Sequence, residues 1–179
     1  MLNIALSLFA LRKPTWSAFD FPRWQSALVI TLIGVLTGLD PSLRAGTAEL
    51  AGMPWMLAML YAVFAVWAAF WVIIVLLRWW MKRGQRWDGQ GNLFNLLVAA
   101  WAVVDVLGAG LAAMGVSQLM LLPLWLYSLW ISGKALSAVI PKASVGYSVG
   151  GIVLVLIPAF AAVVPVMVIA LLLNSVFSG

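Results

Sequence analysis

The stretch from Trp55 to Leu77 contains no charged residue. It is long enough to cross a bilayer, which takes about 20 apolar residues. It is one of five apolar stretches, of which the first is short. The others run from about Trp24 to Leu39, Leu93 to Ala113, Val116 to Ser132 and Val145 to Leu173. Hydrophobic residues form 65% of the 179-residue chain and charged residues 8%. A soluble domain carries roughly 25% charged residues, and one of this size could not bury so much apolar surface. The expected fold is an all-α integral membrane bundle of five transmembrane helices. Residues 24–179 form its membrane domain, and residues 1–23 a cytoplasmic segment that lies in the interface as a short helix.

That segment lacks the pattern of a cleavable leader. Leu2, Ile4, Leu6, Leu8, Phe9 and Leu11 precede Arg12 and Lys13, whereas a signal peptide places its charges first. Trp16, Phe19, Phe21 and Trp24 continue the interfacial character. Pro158 and Pro165 are expected to kink the last stretch or break it into two pieces. The joint at Gly115 is so short that the third and fourth spans must form a tight antiparallel hairpin.

Charge placement sets the orientation. Arg12, Lys13, Arg23, Arg78, Lys82, Arg83, Arg86, Lys134 and Lys142 fall on one side of a five-span arrangement, and Arg44 falls on the other with Asp40 and Glu49. The positive-inside rule makes the first side cytoplasmic, with the N-terminus inside and the C-terminus outside.

The chain has no His and no Cys. The usual soft-metal, haem and iron–sulfur ligands are therefore missing, as are thiol catalysis and disulfides. Five acidic residues in all do not suit a carboxylate-rich metal cage. Serines have no His with which to form a triad, and Ser132 with Lys134 sits at a span end without a nucleophile context. The expectation is a non-enzyme with no cofactor and no metal.

Small residues mark packing faces, because lipid supplies no hydrophobic drive between helices. Ala58, Ala62, Ala65 and Ala69 share one face of the second span, with Phe64, Trp67 and Trp71 roughly opposite as a face for a partner or lipid. Gly34 with Gly38, Gly146 with Gly150, and Ser128 with Ser132 repeat the four-residue spacing. These read chiefly as faces within one bundle, with self-association or docking on another membrane protein as the alternative.

Asp105 is the one ionisable residue well inside a span. Ala99, Ala102, Asp105, Ala109 and Ala112 form one stripe, so Asp105 faces the bundle. A carboxylate there costs roughly 2.5–3.5 kcal/mol on insertion scales. Its plain reading is a neutral acid hydrogen-bonded to Tyr127, Ser128 or Trp130. Its functional readings are a proton relay, a cation site or a partner contact.

Arg78-Trp-Trp-Met-Lys-Arg-Gly-Gln-Arg-Trp87 interleaves basic and indole side chains. That pattern can bind single-stranded nucleic acid. Beside a span it seats the helix end instead, with Arg78, Lys82, Arg83 and Arg86 on anionic lipid headgroups. Membrane lipid rather than nucleic acid is the expected partner. Gly89-Gln-Gly91 lacks the Gly-Lys-Ser/Thr ending of a phosphate loop and reads as a turn.

Gly89-Gln-Gly-Asn-Leu-Phe-Asn-Leu-Leu97, opening the third span after a basic loop, resembles the Gly-x-Gly-x-Phe-like start seen in the Yip (Ypt/Rab-interacting) family of membrane proteins. Ala100-Trp-Ala-Val-Val-Asp105 is similar to that family's Ala-Tyr-x-x-x-Pro segment, with Trp101 at the tyrosine position and Asp105 at the proline position. Arg12-Lys-Pro-Thr-Trp-Ser-Ala-Phe19 and Gly133-Lys-Ala-Leu-Ser-Ala-Val139 resemble its basic approach to the membrane and its Lys-Ala stretch. The resemblance implies a five-span, non-catalytic protein of interaction, scaffolding or membrane organisation. With so short an N-terminal segment it implies a short bacterial type in the inner membrane. Two alternatives stand beside it: an accessory subunit of a larger membrane complex, and a small transporter or channel using Asp105.

Overall fold

The computed structural model describes residues 1–40 and 53–178, and the side chains of Ala113, Gln118, Phe177 and Ser178 are not among the features described. Arg44 and Glu49 therefore lie outside the described residues. Helix forms wherever the sequence is apolar: α1 (Leu2–Phe9), a 3₁₀ turn (Trp16–Phe19), α2 (Arg23–Leu39), α3 (Trp55–Arg83), α4 (Leu93–Ala113), α5 (Gln118–Val139) and α6 (Val145–Ser178). No strand occurs among the described residues.

Four helices are long and apolar enough to cross a membrane: Trp55–Arg83, Leu93–Ala112, Leu119–Val139 and Val145–Val176. The fifth expected span, α2, has 17 residues. At 1.5 Å per residue it is about 25 Å long, short of a hydrocarbon core of about 30 Å. Two other boundaries differ from the sequence reading. The fourth span does not stop at Ser132: α5 continues through Gly133, where Val149 of α6 occupies the space a Cβ would need. Nor do the two prolines divide the last span, since α6 runs as one helix with Pro158 and Pro165 inside it.

Three helices stop by the same device. Leu11 (φ 56°), Gln85 (φ 49°) and Gly115 (φ 85°) take the left-handed conformation just past α1, α3 and α4. Each is followed by the paired backbone bonds of a Schellman cap, such as Val116 N–H to Leu111 O (3.0 Å) and Gly115 N–H to Ala112 O (2.9 Å). Gly115 suits that conformation, and the expected hairpin follows. At the end of α3 the glycine sits one residue early. Gly84 has an ordinary φ of −73°, and what requires a glycine there is Tyr147, whose hydroxyl lies where a Cβ would project.

α3 is central, packing along α2 on one side and α6 on another, while α4 contacts α2, α5 and the short α1. Gly34 and Gly38 of α2 let the backbones of Val63 and Met59 approach to 2.7 and 2.6 Å of an imagined Cβ, and Ala58, Ala62 and Ala65 are buried. These small residues serve packing within the chain, as their spacing suggests. Gly146 and Gly150 do not, since nothing approaches them within 4 Å. The N-terminal helix exists as expected but is not laid apart from the bundle. Ala5 and Leu8 are buried, and the Phe9 carbonyl accepts a hydrogen bond from Tyr127 Oη (2.6 Å).

The alternating helices gather Arg12, Lys13, Arg23, the Arg78–Arg86 loop, Lys134 and Lys142 at one end. That end is the tighter one. Phe19, Leu77, Met81, Leu93, Leu96, Leu97 and Leu136 are fully shielded there.

Candidate functional site

At the opposite end α2 parts from the α4–α5 hairpin. The gap is a cleft of about 410 Å³ lined by Ile33, Leu36 and Thr37 of α2 and Asp40 just past it, by Val104, Asp105, Gly108, Ala109 and Ala112 of α4, and by Leu121, Leu122, Leu124 and Trp125 of α5. Small residues make the room: Gly108, Ala109 and Ala112 form the α4 wall. A second chamber of about 200 Å³ lies deeper, among Ile30, Phe70, Trp101, Ser128 and Leu156. Ile33, Asp105 and Trp125 line both spaces and so stand between them.

Asp105 thus faces the bundle, as the alanine stripe indicates. Its expected hydrogen bond is absent among the described residues. Tyr127 Oη donates to Phe9 O, Ser128 Oγ donates to Trp125 O (2.7 Å), and Trp130 is 46% exposed with Lys134 Nζ 5.7 Å from its ring centre. The two hydroxyls are taken by backbone carbonyls and the indole points away. One turn toward the basic end, Trp101 lines the inner chamber with its Nε1–H buried and without an acceptor among the described residues. The cleft therefore presents an acid with no fixed partner, an unused indole donor, and a second carboxyl group, Asp40, on the lining of its outer part.

The basic loop is held differently. Arg78 lies 5.9 Å from the Trp87 ring centre, Arg83 5.0 Å from Trp79, and Arg86 5.1 Å from Tyr147. Arg86 also donates from Nη1 to Lys142 O (2.8 Å), and Tyr147 Oη donates to Trp80 O (3.0 Å) under a stacked Trp80 ring. Lys82 passes over Gly89. These contacts tie the loop to the start of α6, and all four cations remain exposed at its surface.

Of the three aromatic residues read as one outward face, Phe64 and Trp71 are 62% and 60% exposed. Trp67 is not on that face. Its Nε1 donates to Thr31 Oγ1 (3.2 Å) and its ring stacks on Phe94 at 6.5 Å. α3 has neighbours on several sides, so the face opposite its alanine stripe is itself partly covered, here by α2 and α4.

The residue that sequence reasoning missed is Asn95, which is fully buried. Its Oδ1 accepts from Ser26 Oγ (2.8 Å), and its Nδ2 donates to Phe19 O (2.8 Å) and Phe21 O (2.7 Å). One amide thereby fastens the N-terminal segment and α2 to the first turn of α4. Asn92 caps that turn, accepting from Asn95 N–H (3.2 Å), and Gly91, at φ 87°, admits the Trp16 ring beside it. The available signal was a lone amide in the apolar run Leu93–Leu97. No family model, no curated protein and no solved structure matches the chain.

Proposed function

We propose that this chain is a five-span inner-membrane protein that binds a small organic cation beside Asp105 and does no covalent chemistry. The observation that carries the reading is the Asp105 carboxyl group, without a partner among the described residues, on the wall between two chambers. A bare carboxylate is costly in a bilayer. A mobile cation or a proton relieves that cost, and the same group can exchange one for the other. The walls choose among cations. Ile33, Leu36, Leu121 and Leu124 offer nothing to a hydrated metal ion. An ammonium group with an apolar body can bury that body there and meet the Trp125 ring, the cation–π geometry that suits quaternary ammonium.

In this reading α2 is the fifth span, its shortness met by local thinning of the bilayer. The basic end faces the cytoplasm, the C-terminus lies outside, and the cleft opens outward. Binding of radiolabelled tetraethylammonium to the purified protein tests the reading. Saturable binding that Asp105→Asn abolishes supports it. Equal binding by Asp105→Asn, or none by the wild type, overturns it.

A non-catalytic scaffold of Yip type, free-standing or as an accessory subunit, is the second reading. It is favoured by the part that Gly91, Asn92 and Asn95 play in packing rather than chemistry, and by the outward Phe64 and Trp71. A defined protein co-purifying in mild detergent, and lost on Phe64→Ala with Trp71→Ala, supports it.

A further inference from the structure

A separate crevice of about 460 Å³ lies at the basic end, between the segment that follows α1 and the facing parts of α5 and α6. Its lining divides by chemistry. Leu8, Leu11, Ile131, Ala135, Ala138 and Val145 make an apolar floor, and Arg12, Lys13 and Lys134 bring three cations, with no acidic residue among the lining. The left-handed Leu11 turns the chain so that Arg12 and Lys13 follow α1 into this position. Neither Arg12 nor Lys13 makes a side-chain hydrogen bond or ion pair among the described residues. In this they differ from Arg78, Arg83 and Arg86, which lie over aromatic rings. The Lys134 ammonium lies 5.7 Å from the Trp130 ring centre, and the residue is exposed.

We infer that this crevice holds one anionic phospholipid of the adjoining leaflet, its phosphate among Arg12, Lys13 and Lys134 and an acyl chain on the apolar floor. Three cations gathered without a counter-charge match a phosphate. The floor beneath them suits a lipid rather than free phosphate, because Ile131 and Ala135 belong to a helix apolar enough to cross the membrane. Basic pockets between helices are recognised lipid headgroup sites.

The test reconstitutes the full chain in vesicles of phosphatidylcholine with phosphatidylglycerol, extracts it in mild detergent and counts retained lipid by native mass spectrometry. The expected result is one phosphatidylglycerol retained in preference to phosphatidylcholine. Retention should weaken by about five-fold for each of Arg12→Gln, Lys13→Gln and Lys134→Gln, and stay unchanged in the folded control Arg23→Gln, an exposed residue outside the crevice lining. Equal retention of both lipids, or equal loss in the control, overturns the assignment. Displacement of the lipid by inorganic phosphate at the level that occupies the protein without lipid overturns it too, by making the site one for the free anion.

Discussion

At the basic end Leu77, Leu93, Leu96, Leu97 and Leu136 have no measurable exposure, whereas Met114, Leu119 and Met120 at the other end are 73%, 80% and 74% exposed. The two ends also differ in what lies between their helices. The basic end has large aliphatic side chains, a buried amide with every polar atom of its side chain paired, and aromatic rings under arginines. The other end has glycine and alanine on α4, and a carboxyl group with no hydrogen-bond partner among the described residues. One end fixes the fold. The other leaves a cleft of about 410 Å³ among the described residues.

The largest test of that contrast is Asn95→Leu. It removes three side-chain hydrogen bonds and strands the Phe19 and Phe21 carbonyls and the Ser26 hydroxyl. At about 1–3 kcal/mol for each stranded buried group, we expect a loss of at least about 3 kcal/mol in reversible unfolding from detergent micelles. Gly34→Leu is next. Its side chain would run into the Val63 backbone, and overpacking of this kind costs about 1–3 kcal/mol. A lowered midpoint in the same assay checks it. Gln85→Gly acts in the opposite direction. It relieves a left-handed residue and should raise stability by up to about 1 kcal/mol. Smallest of all is Asp105→Leu. The carboxyl group has no hydrogen bond to lose among the described residues, and a carboxylate inside a span is itself costly, so unfolding should be no easier than in wild type even though cation binding is lost.

Much of this was legible in residue order. Long uncharged runs impose helices, the Gly34–Gly38 spacing announces a close crossing, and the Ala99–Ala112 stripe turns Asp105 inward. What was not legible depends on partners far along the chain. Asn95 meets Phe19 and Ser26, 76 and 69 positions away, and no local pattern encodes that pairing. The hydrogen bond expected of Asp105 failed because the hydroxyls are used elsewhere, by Phe9 O far along the chain and by Trp125 O within the same helix. Tyr127 and Ser128 lie on a neighbouring helix, but their hydroxyls reach carbonyls first. Trp67 was misplaced because a helical face opposite small residues is outward only when a helix has neighbours on one side.

The central claim is that the Asp105 cleft is open and selects cations. The chain has no native cysteine, so a single Ala109→Cys variant in reconstituted vesicles reports on the cleft directly. The measurement is the ratio of its labelling rates by a trimethylammonium thiosulfonate and by a sulfonate thiosulfonate of similar size. The account predicts that the cationic reagent reacts faster by about ten-fold or more beyond the two reagents' ratio on free thiol, and that Asp105→Asn removes most of this preference. A thiol that is sealed off and unreactive in the Ala109→Cys variant, or one indifferent to reagent charge and to Asp105→Asn, would contradict it.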